Sequence, residues 1–140
     1  MIERRPFVQK ILKNRKDNLR VISGIGTSTW DLMSAGDNTG NFGFIGAMGQ
    51  SIPFALGLAK AKPDYRILLF TGDGDTLMSL GSISTIANHS VSNLTVIVLD
   101  NDTLADVAVM ITEPLSCPID VIVTVLSLID ELTDVAEVLL

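Results

Sequence analysis

The stretch from residue 66 to residue 101 constrains this chain more than any other. It opens with Arg66-Ile67-Leu68-Leu69-Phe70 and breaks sharply at Thr71-Gly72-Asp73-Gly74. Residues 75–88 follow, with Leu77, Met78, Leu80, Ile83 and Ile86 at helical spacing. Leu94-Thr95-Val96-Ile97-Val98-Leu99 then leads into Asp100-Asn101-Asp102. Short apolar runs of this kind are strands buried on both faces, and the last is rich in β-branched residues. Strand, helix, strand with short loops is a βαβ unit, which requires parallel strands and a right-handed crossover. The expected class is therefore α/β: a mostly parallel sheet in a three-layer αβα arrangement.

The remainder fits around that unit. Phe7, Val8, Ile11 and Leu12 give residues 6–13 a helical pattern, and residues 19–23 form a short strand. Residues 24–28 turn out of that strand, residues 29–34 form a short helix, and Ala35-Gly36-Asp37-Asn38 is a loop. Residues 46–60 are small and apolar and predict a buried helix, with Pro53 in its first turns or at a kink. Beyond residue 103 the pattern predicts a strand at 107–111 and a helix over 119–139. With 140 residues and no linker or repeat, the chain reads as a single domain over 1–140. A hydrophobic content of 47% with only 5% aromatics leaves Leu, Ile, Val and Ala to fill the core.

Charge narrows the function. All ten Lys and Arg lie between Arg4 and Arg66, while five of the sixteen acids precede Ile67 and eleven follow it. The net charge of −6 argues against a nucleic-acid partner. An anionic ligand held by the second half must be neutralised by backbone N–H groups or a metal ion. No stretch is long and apolar enough to span a bilayer, since the best, 119–129, contains Asp120. The N-terminus lacks the apolar core of a signal peptide, and Cys117 stands alone, so no internal disulfide forms. These features predict a cytoplasmic protein with no membrane association.

In open parallel sheets, ligands bind beyond the carboxyl ends of the strands. Gly72-Asp73-Gly74 and Asp100-Asn101-Asp102 both fall at such ends. On adjacent strands, Asp73 and Asn101 would offer hard oxygen donors to one site, as Mg²⁺ requires. Gly72 and Gly74 permit a tight turn and close approach of a ligand to the backbone. The helix they open has free N–H groups that suit a phosphate. Gly-Asp-Gly alone also marks ordinary turns; the specificity lies in the helix and strand that follow, and in Asn101, 28 positions after Asp73.

The segment GDGDTLMSLGSISTIANHSVSNLTVIVLDN resembles the thiamine-diphosphate motif, in which GDG is followed at about this distance by Asn. The resemblance runs roughly from residue 1 to residue 101. It is strongest to the separate diphosphate-binding (beta-type) subunits of sulfopyruvate and phosphonopyruvate decarboxylase-like proteins, through GIGTST, GAMG and LMSLGSISTIA. It extends to the corresponding domain of acetolactate synthase and pyruvate decarboxylase. The resemblance implies a thiamine-diphosphate-binding domain of Rossmann-like topology. It implies Mg²⁺ ligands at Asp73, the side-chain oxygen of Asn101 and the backbone carbonyl of Thr103. The diphosphate would meet backbone groups of Gly74 and Asp75, in a turn that includes Gly72 and Thr76. The Asp75 side chain is expected to point away or cap the helix.

The resemblance also implies that Gly26, Thr27 and Ser28 meet the cofactor from the first strand, although Thr27 or Ser28 could equally be helix N-caps. In Gly46-Ala47-Met48-Gly49, the carbonyl of Gly46 would accept from the aminopyrimidine, and Met48 would wedge beneath the bent cofactor. Without the motif, Met48 reads as an ordinary core methionine. The glutamate that activates the pyrimidine belongs, in the family, to another domain or subunit. Glu3, Glu113, Glu131 and Glu137 do not match it, so no catalytic residue is expected in this chain. A pyrimidine-binding, alpha-type partner is, in a homo- or hetero-oligomer. His89 reads as a surface or helix-terminal residue.

The implied function is the diphosphate- and Mg²⁺-binding subunit of a thiamine-diphosphate-dependent 2-oxo acid decarboxylase, inactive alone. After Asn101 the chain departs from the family, with Asp102-Thr103-Leu104-Ala105-Asp106 in place of a Gly- and Tyr-containing cover and a divergent, shortened tail from about residue 103. Three other readings stand beside it: half of an acetolactate-synthase-like carboligase, a non-catalytic assembly subunit whose lid has decayed, and a module for another Mg²⁺-diphosphate ligand.

Overall fold

A computed structural model describes residues 3–89, 91–99, 107–111 and 122–126. Their elements run α1 (Arg4–Leu12), β1 (Leu19–Ser23), α2 (Thr27–Met33), β2 (Asn41–Gly43), α3 (Ser51–Ala61), β3 (Arg66–Gly72), α4 (Asp73–Met78), α5 (Leu80–His89), β4 (Leu94–Leu99), β5 (Val107–Ile111) and β6 (Ile122–Leu126). One sheet takes the order β2-β1-β3-β4-β5-β6. Strands β2, β1, β3 and β4 are mutually parallel, and β5 and β6 add antiparallel to the β4 edge. The mostly parallel α/β class read from the sequence is the observed one.

Alternation along the strands builds the three layers. Leu19, Val21, Leu68, Phe70, Ile97 and Leu99 point to one face, where they pack on Phe7, Val8 and Ile11 of α1 and Leu32 of α2. Ile22, Ile67, Leu69, Leu94 and Val96 point to the other and pack on Ile52, Ala55, Leu56 and Ala59 of α3 and Ile86 of α5. Two-sided burial is why β3 and β4 read as unbroken apolar runs. Arg4 and Arg5 lie 3.5 and 3.4 Å from the buried carboxylate of Asp31, tying α1 to α2.

Several sequence expectations are corrected. The helix expected over 75–88 is two helices, because Ser79 leaves helical geometry (φ −121°, ψ 29°) and separates α4 from α5. The helix expected from residue 46 begins at Ser51; Ala47 (φ 61°) and Gly49 (φ 85°) hold left-handed conformations that no α-helix accommodates. Pro53 is the third residue of α3, within the first turn, where a missing N–H costs no helical hydrogen bond. α2 starts at Thr27 rather than Thr29. The helix expected over 119–139 is overturned at β6, whose Ile-Val-Thr-Val-Leu run has β-branched residues in four of five positions and pairs with β5. The rest of that span lies outside the described residues. The three-residue edge strand β2 carries no apolar run to announce it.

Candidate functional site

Because β1, β2 and β3 are parallel, the loops that follow them emerge at one edge of the sheet. Gly24 leaves β1 with its N–H bonded to the carbonyl of Phe70 at 2.7 Å. Thr29, in the first turn of α2, bonds the Ser23 hydroxyl (3.0 Å) and the carbonyls of Gly24 (2.8 Å) and Phe44 (3.2 Å). One side chain thus joins the turn after β1 to the segment after β2. The stacked and edge-on rings of Phe42, Phe44 and Phe54, with centroids 4.8–5.4 Å apart, brace that segment against α3.

Strand β3 passes into α4 with no loop between them. Gly72 is the last extended residue (φ −91°, ψ 164°), and Asp73, Gly74 and Asp75 are the first three of the helix. Thr76 returns its hydroxyl to the Gly72 carbonyl at 2.7 Å, fixing the bend. Asp73 is partly exposed, and its carboxylate has no protein partner among the described residues. Gly72 is the register partner of Leu99, so β3 and β4 end side by side. Asn101 and Thr103, the other expected metal ligands, lie outside the described residues.

Asp75 behaves differently. Its side chain turns inward, with the residue 3% exposed, and does not cap α4. One carboxylate oxygen accepts from the Gly49 N–H. The other accepts from the Ser51 hydroxyl and, at 2.7 Å, the Thr71 hydroxyl. Gly24 packs on the same group so closely that a β-carbon there would lie 2.5 Å from its oxygen. The turn after β1, the loop after β2 and the β3–α4 junction therefore meet on one buried carboxylate. Sequence reasoning missed Gly24, Gly49, Ser51 and Thr71. The only local hint was an acid beside glycines in a half of the chain without a basic residue.

Residues 46–48 form an exposed loop that ends at the buried Gly49, and the Gln50 N–H closes on the Ala47 carbonyl at 3.2 Å. Met48 is 44% exposed, so it is not a core methionine. Its terminal methyl reaches over the GDG turn, 3.0 Å from where a β-carbon on Gly74 would stand. Met48 is thereby brought to Gly74, with Gly46 and Ala47 exposed just before it. Gly26 (φ 83°) is the N-cap of α2, and neither Thr27 nor Ser28 fills that role. Thr27 is exposed, whereas Ser28 is buried. A mainly apolar cleft of about 750 Å³ opens beside Ile25 and Gly26, bounded by Trp30, Met33, Phe44 and Ile45, but no residue of the GDG turn lines it. His89 ends α5 on the surface, 3.1 Å from the Lys60 amine.

The residues present suit a magnesium diphosphate. Gly74 offers bare backbone at the start of a helix, and Asp73 offers a partly exposed carboxylate at the end of β3. Among the described residues no three His, Cys, Asp or Glu gather into a metal cluster. Mg²⁺ needs no such cluster, since one or two carboxylates with phosphate oxygens and water complete its shell.

Comparison with known proteins bears on the same residues. Residues 24–113 match the family model described as thiamine pyrophosphate enzyme, C-terminal TPP binding domain. The sulfopyruvate decarboxylase subunit beta of Methanothermobacter thermautotrophicus is 36% identical over 101 residues, 72% of this chain and 54% of that subunit. The phosphonopyruvate decarboxylase of Streptomyces viridochromogenes is 34% identical over 94 residues, 67% of this chain and 23% of that enzyme. The X-ray structure of a candidate thiamin diphosphate-dependent enzyme from Mycobacterium smegmatis superposes with a TM-score of 0.56 at 25% identity, over 67% of this chain and 20% of that one. The chain spans about half the length of the sulfopyruvate decarboxylase subunits it matches. Its parallel sheet, its three convergent loops and these matches together make it a member of the thiamine pyrophosphate enzyme family, through the C-terminal, cofactor-binding domain.

Proposed function

We propose that the chain is the diphosphate- and Mg²⁺-binding part of a thiamine-diphosphate-dependent 2-oxo acid decarboxylase, completed by a pyrimidine-binding partner. The observation that carries the proposal is the meeting of the Met48 methyl with the bare backbone of Gly74, beside the carboxylate of Asp73, which is unpaired among the described residues. Asp73, with Asn101 and the Thr103 carbonyl, would hold the metal. Backbone groups of Gly74 and Asp75 would hold the diphosphate. Met48 would support the cofactor's bend, with the Gly46 carbonyl on its aminopyrimidine and Gly26, Thr27 and Ser28 flanking it. When bound, the cofactor supplies the electron sink that lets a 2-oxo acid release carbon dioxide.

Decarboxylation is favoured over carboligation because the relatives that align over two thirds of the chain or more carry decarboxylase names. A partner chain is supported by the names of the beta-subunit relatives and by the surface. Ile45, Leu77, Met78 and Leu80 are exposed on the segments that flank the site, a density of apolar surface that ordinarily marks an interface.

The test is ligand-dependent thermal stabilisation. Thiamine diphosphate with Mg²⁺ is expected to raise Tm, because a ligand that binds only the folded state stabilises it by mass action. EDTA and Asp73→Ala should each abolish that rise. A rise that survives both would refute the metal assignment; no rise in the wild-type chain, alone or with its co-purified partner, would refute the proposal.

A further inference from the structure

Asp75 is the one carboxylate among the described residues that meets the turn after β1, the loop after β2 and the end of β3 together, and its geometry exceeds what stabilising a turn requires. Among the described residues no basic side chain pairs with it; three donors from two segments, the 49–51 stretch and β3, satisfy it instead. Hydrogen bonds to an ionised acceptor are stronger than neutral ones, and low dielectric strengthens them further. The donor from Gly49 matters most. Gly49 sits at φ 85°, two residues after Ala47 at φ 61°, and Met48 lies between them. An isolated loop with two left-handed residues has many alternatives of lower backbone energy. Anchoring the Gly49 N–H selects one of them, the one that carries the Met48 methyl over Gly74.

We infer that Asp75 is a positioning residue that sets the Met48 loop in its cofactor-ready arrangement before any ligand arrives. The inference rests on the cofactor reading above only for what the arrangement is used for. Pre-organisation of this kind raises affinity by removing the ordering cost from the binding step. Ser51 and Thr71 then act through Asp75, orienting its second oxygen so that the first faces Gly49. Asn at this position would keep the shape, but its amide N–H₂ either faces the Gly49 N–H, which then loses its acceptor, or faces the Ser51 and Thr71 hydroxyls, which must then turn from donors to acceptors.

The experiment compares wild type, Asp75→Asn, Ser51→Ala and Met48→Ala by NMR with labelled Met methyl groups and amide exchange, without ligand, and by titration with thiamine diphosphate and Mg²⁺. Expected for Asp75→Asn is Gly49 amide exchange faster by about tenfold or more, a Met48 methyl signal shifted toward that of a free side chain, and a Kd about tenfold higher. Ser51→Ala should move all three in the same direction by less, and it decides the matter by the same readouts if Asp75→Asn does not fold. In the Met48→Ala background, Asp75→Asn should change Kd by less than about threefold, because the two act on one interaction. Unchanged Gly49 and Met48 signals in the folded variants, or losses that simply multiply in the double variant, would overturn the inference. If wild type binds no thiamine diphosphate, the functional proposal fails, and the ligand-free NMR arm still decides whether Asp75 sets the loop.

Discussion

Replacing Gly74 by Ala separates folding from ligand binding at a single atom. Gly74 is the second residue of α4 and has ordinary helical geometry, so the backbone accepts alanine without strain. In a helix Ala is favoured over Gly by roughly 1 kcal/mol, and somewhat less in so short a helix. Against that gain, the new methyl would lie 3.0 Å from the Met48 methyl, and among the described residues outside its own helix nothing else lies within 4 Å of it. Met48 is half-exposed and ends a flexible chain, so it can swing away for about the burial energy of one methylene, ~0.8 kcal/mol. The two terms nearly cancel, and the stability of the ligand-free chain should change by less than about 1 kcal/mol. The site should not tolerate the change, because the methyl fills the face of the turn that a diphosphate must approach and evicts Met48 as well. A tenfold rise in Kd, at ligand equal to 100 times the wild-type Kd, cuts the ligand stabilisation from about 2.7 to about 1.4 kcal/mol. For a chain of this size that is roughly 5 °C less ligand-induced rise in Tm. Differential scanning fluorimetry with and without thiamine diphosphate and Mg²⁺ reads both quantities. An unchanged ligand-induced rise would refute the placement of the diphosphate at Gly74; a fall of more than about 8 °C without ligand would refute the claim that Met48 is free to move.

Gly24→Ala should behave oppositely, since its β-carbon would stand 2.5 Å from the Asp75 carboxylate, 2.9 Å from the Thr71 hydroxyl and 3.2 Å from the Thr71 backbone. None of these can yield cheaply, so urea unfolding should show a loss of about 2–4 kcal/mol. Ala47→Gly removes the left-handed penalty at φ 61° and should stabilise the ligand-free chain by up to about 1 kcal/mol, while weakening thiamine diphosphate binding a few-fold in calorimetry because the loop gains alternatives. Asn93→Ala deletes the amide that donates to the carbonyls of Ala59 (3.0 Å), Lys62 (3.2 Å) and Tyr65 (2.9 Å) at the end of α3. It should cost about 1–3 kcal/mol by urea unfolding and leave cofactor affinity within about twofold.

What the sequence revealed and what it hid follow from the range of the forces involved. β1, β3 and β4 were legible because burial on both faces demands uninterrupted apolar residues, and the GDG break marks where β3 must stop. The division of the 75–88 helix was not legible, since Leu77, Met78 and Leu80 keep helical spacing yet are 58–67% exposed. Their periodicity records a surface, not the core that a period is normally taken to indicate. Residues 46–50 read as helix because they are small and apolar; what makes them a loop is a hydrogen bond to Asp75, 26 positions away along the chain from Gly49. Likewise β6 is a strand because β5 offers it an edge, which no window of its own sequence contains. Asp73 was singled out as a candidate from its place at a strand end, which the structure shows. The buried role of Asp75 depends on Ser51 and Gly49, so only the assembled fold exposes it.

The order Asp-Gly-Asp at the start of α4 has a geometric reason. Successive helical residues are rotated by about 100°, so side chains at the first and third positions point ~200° apart. If Asp75 faces the interior, where three donors neutralise it, Asp73 must face outward beyond the sheet, and Gly74 between them leaves the backbone bare. Two carboxylates two residues apart would normally repel an incoming diphosphate twice. Here one is turned into the protein and satisfied there, while on the proposed function a cation would bridge the other to phosphate. On that reading, a stretch with no lysine or arginine could still prepare an anion site. The same logic fixes the asymmetry of the two variants: loss of the Asp73 carboxylate removes the bridge and leaves the loops in place, whereas loss of the Asp75 carboxylate leaves the bridge and releases the loops.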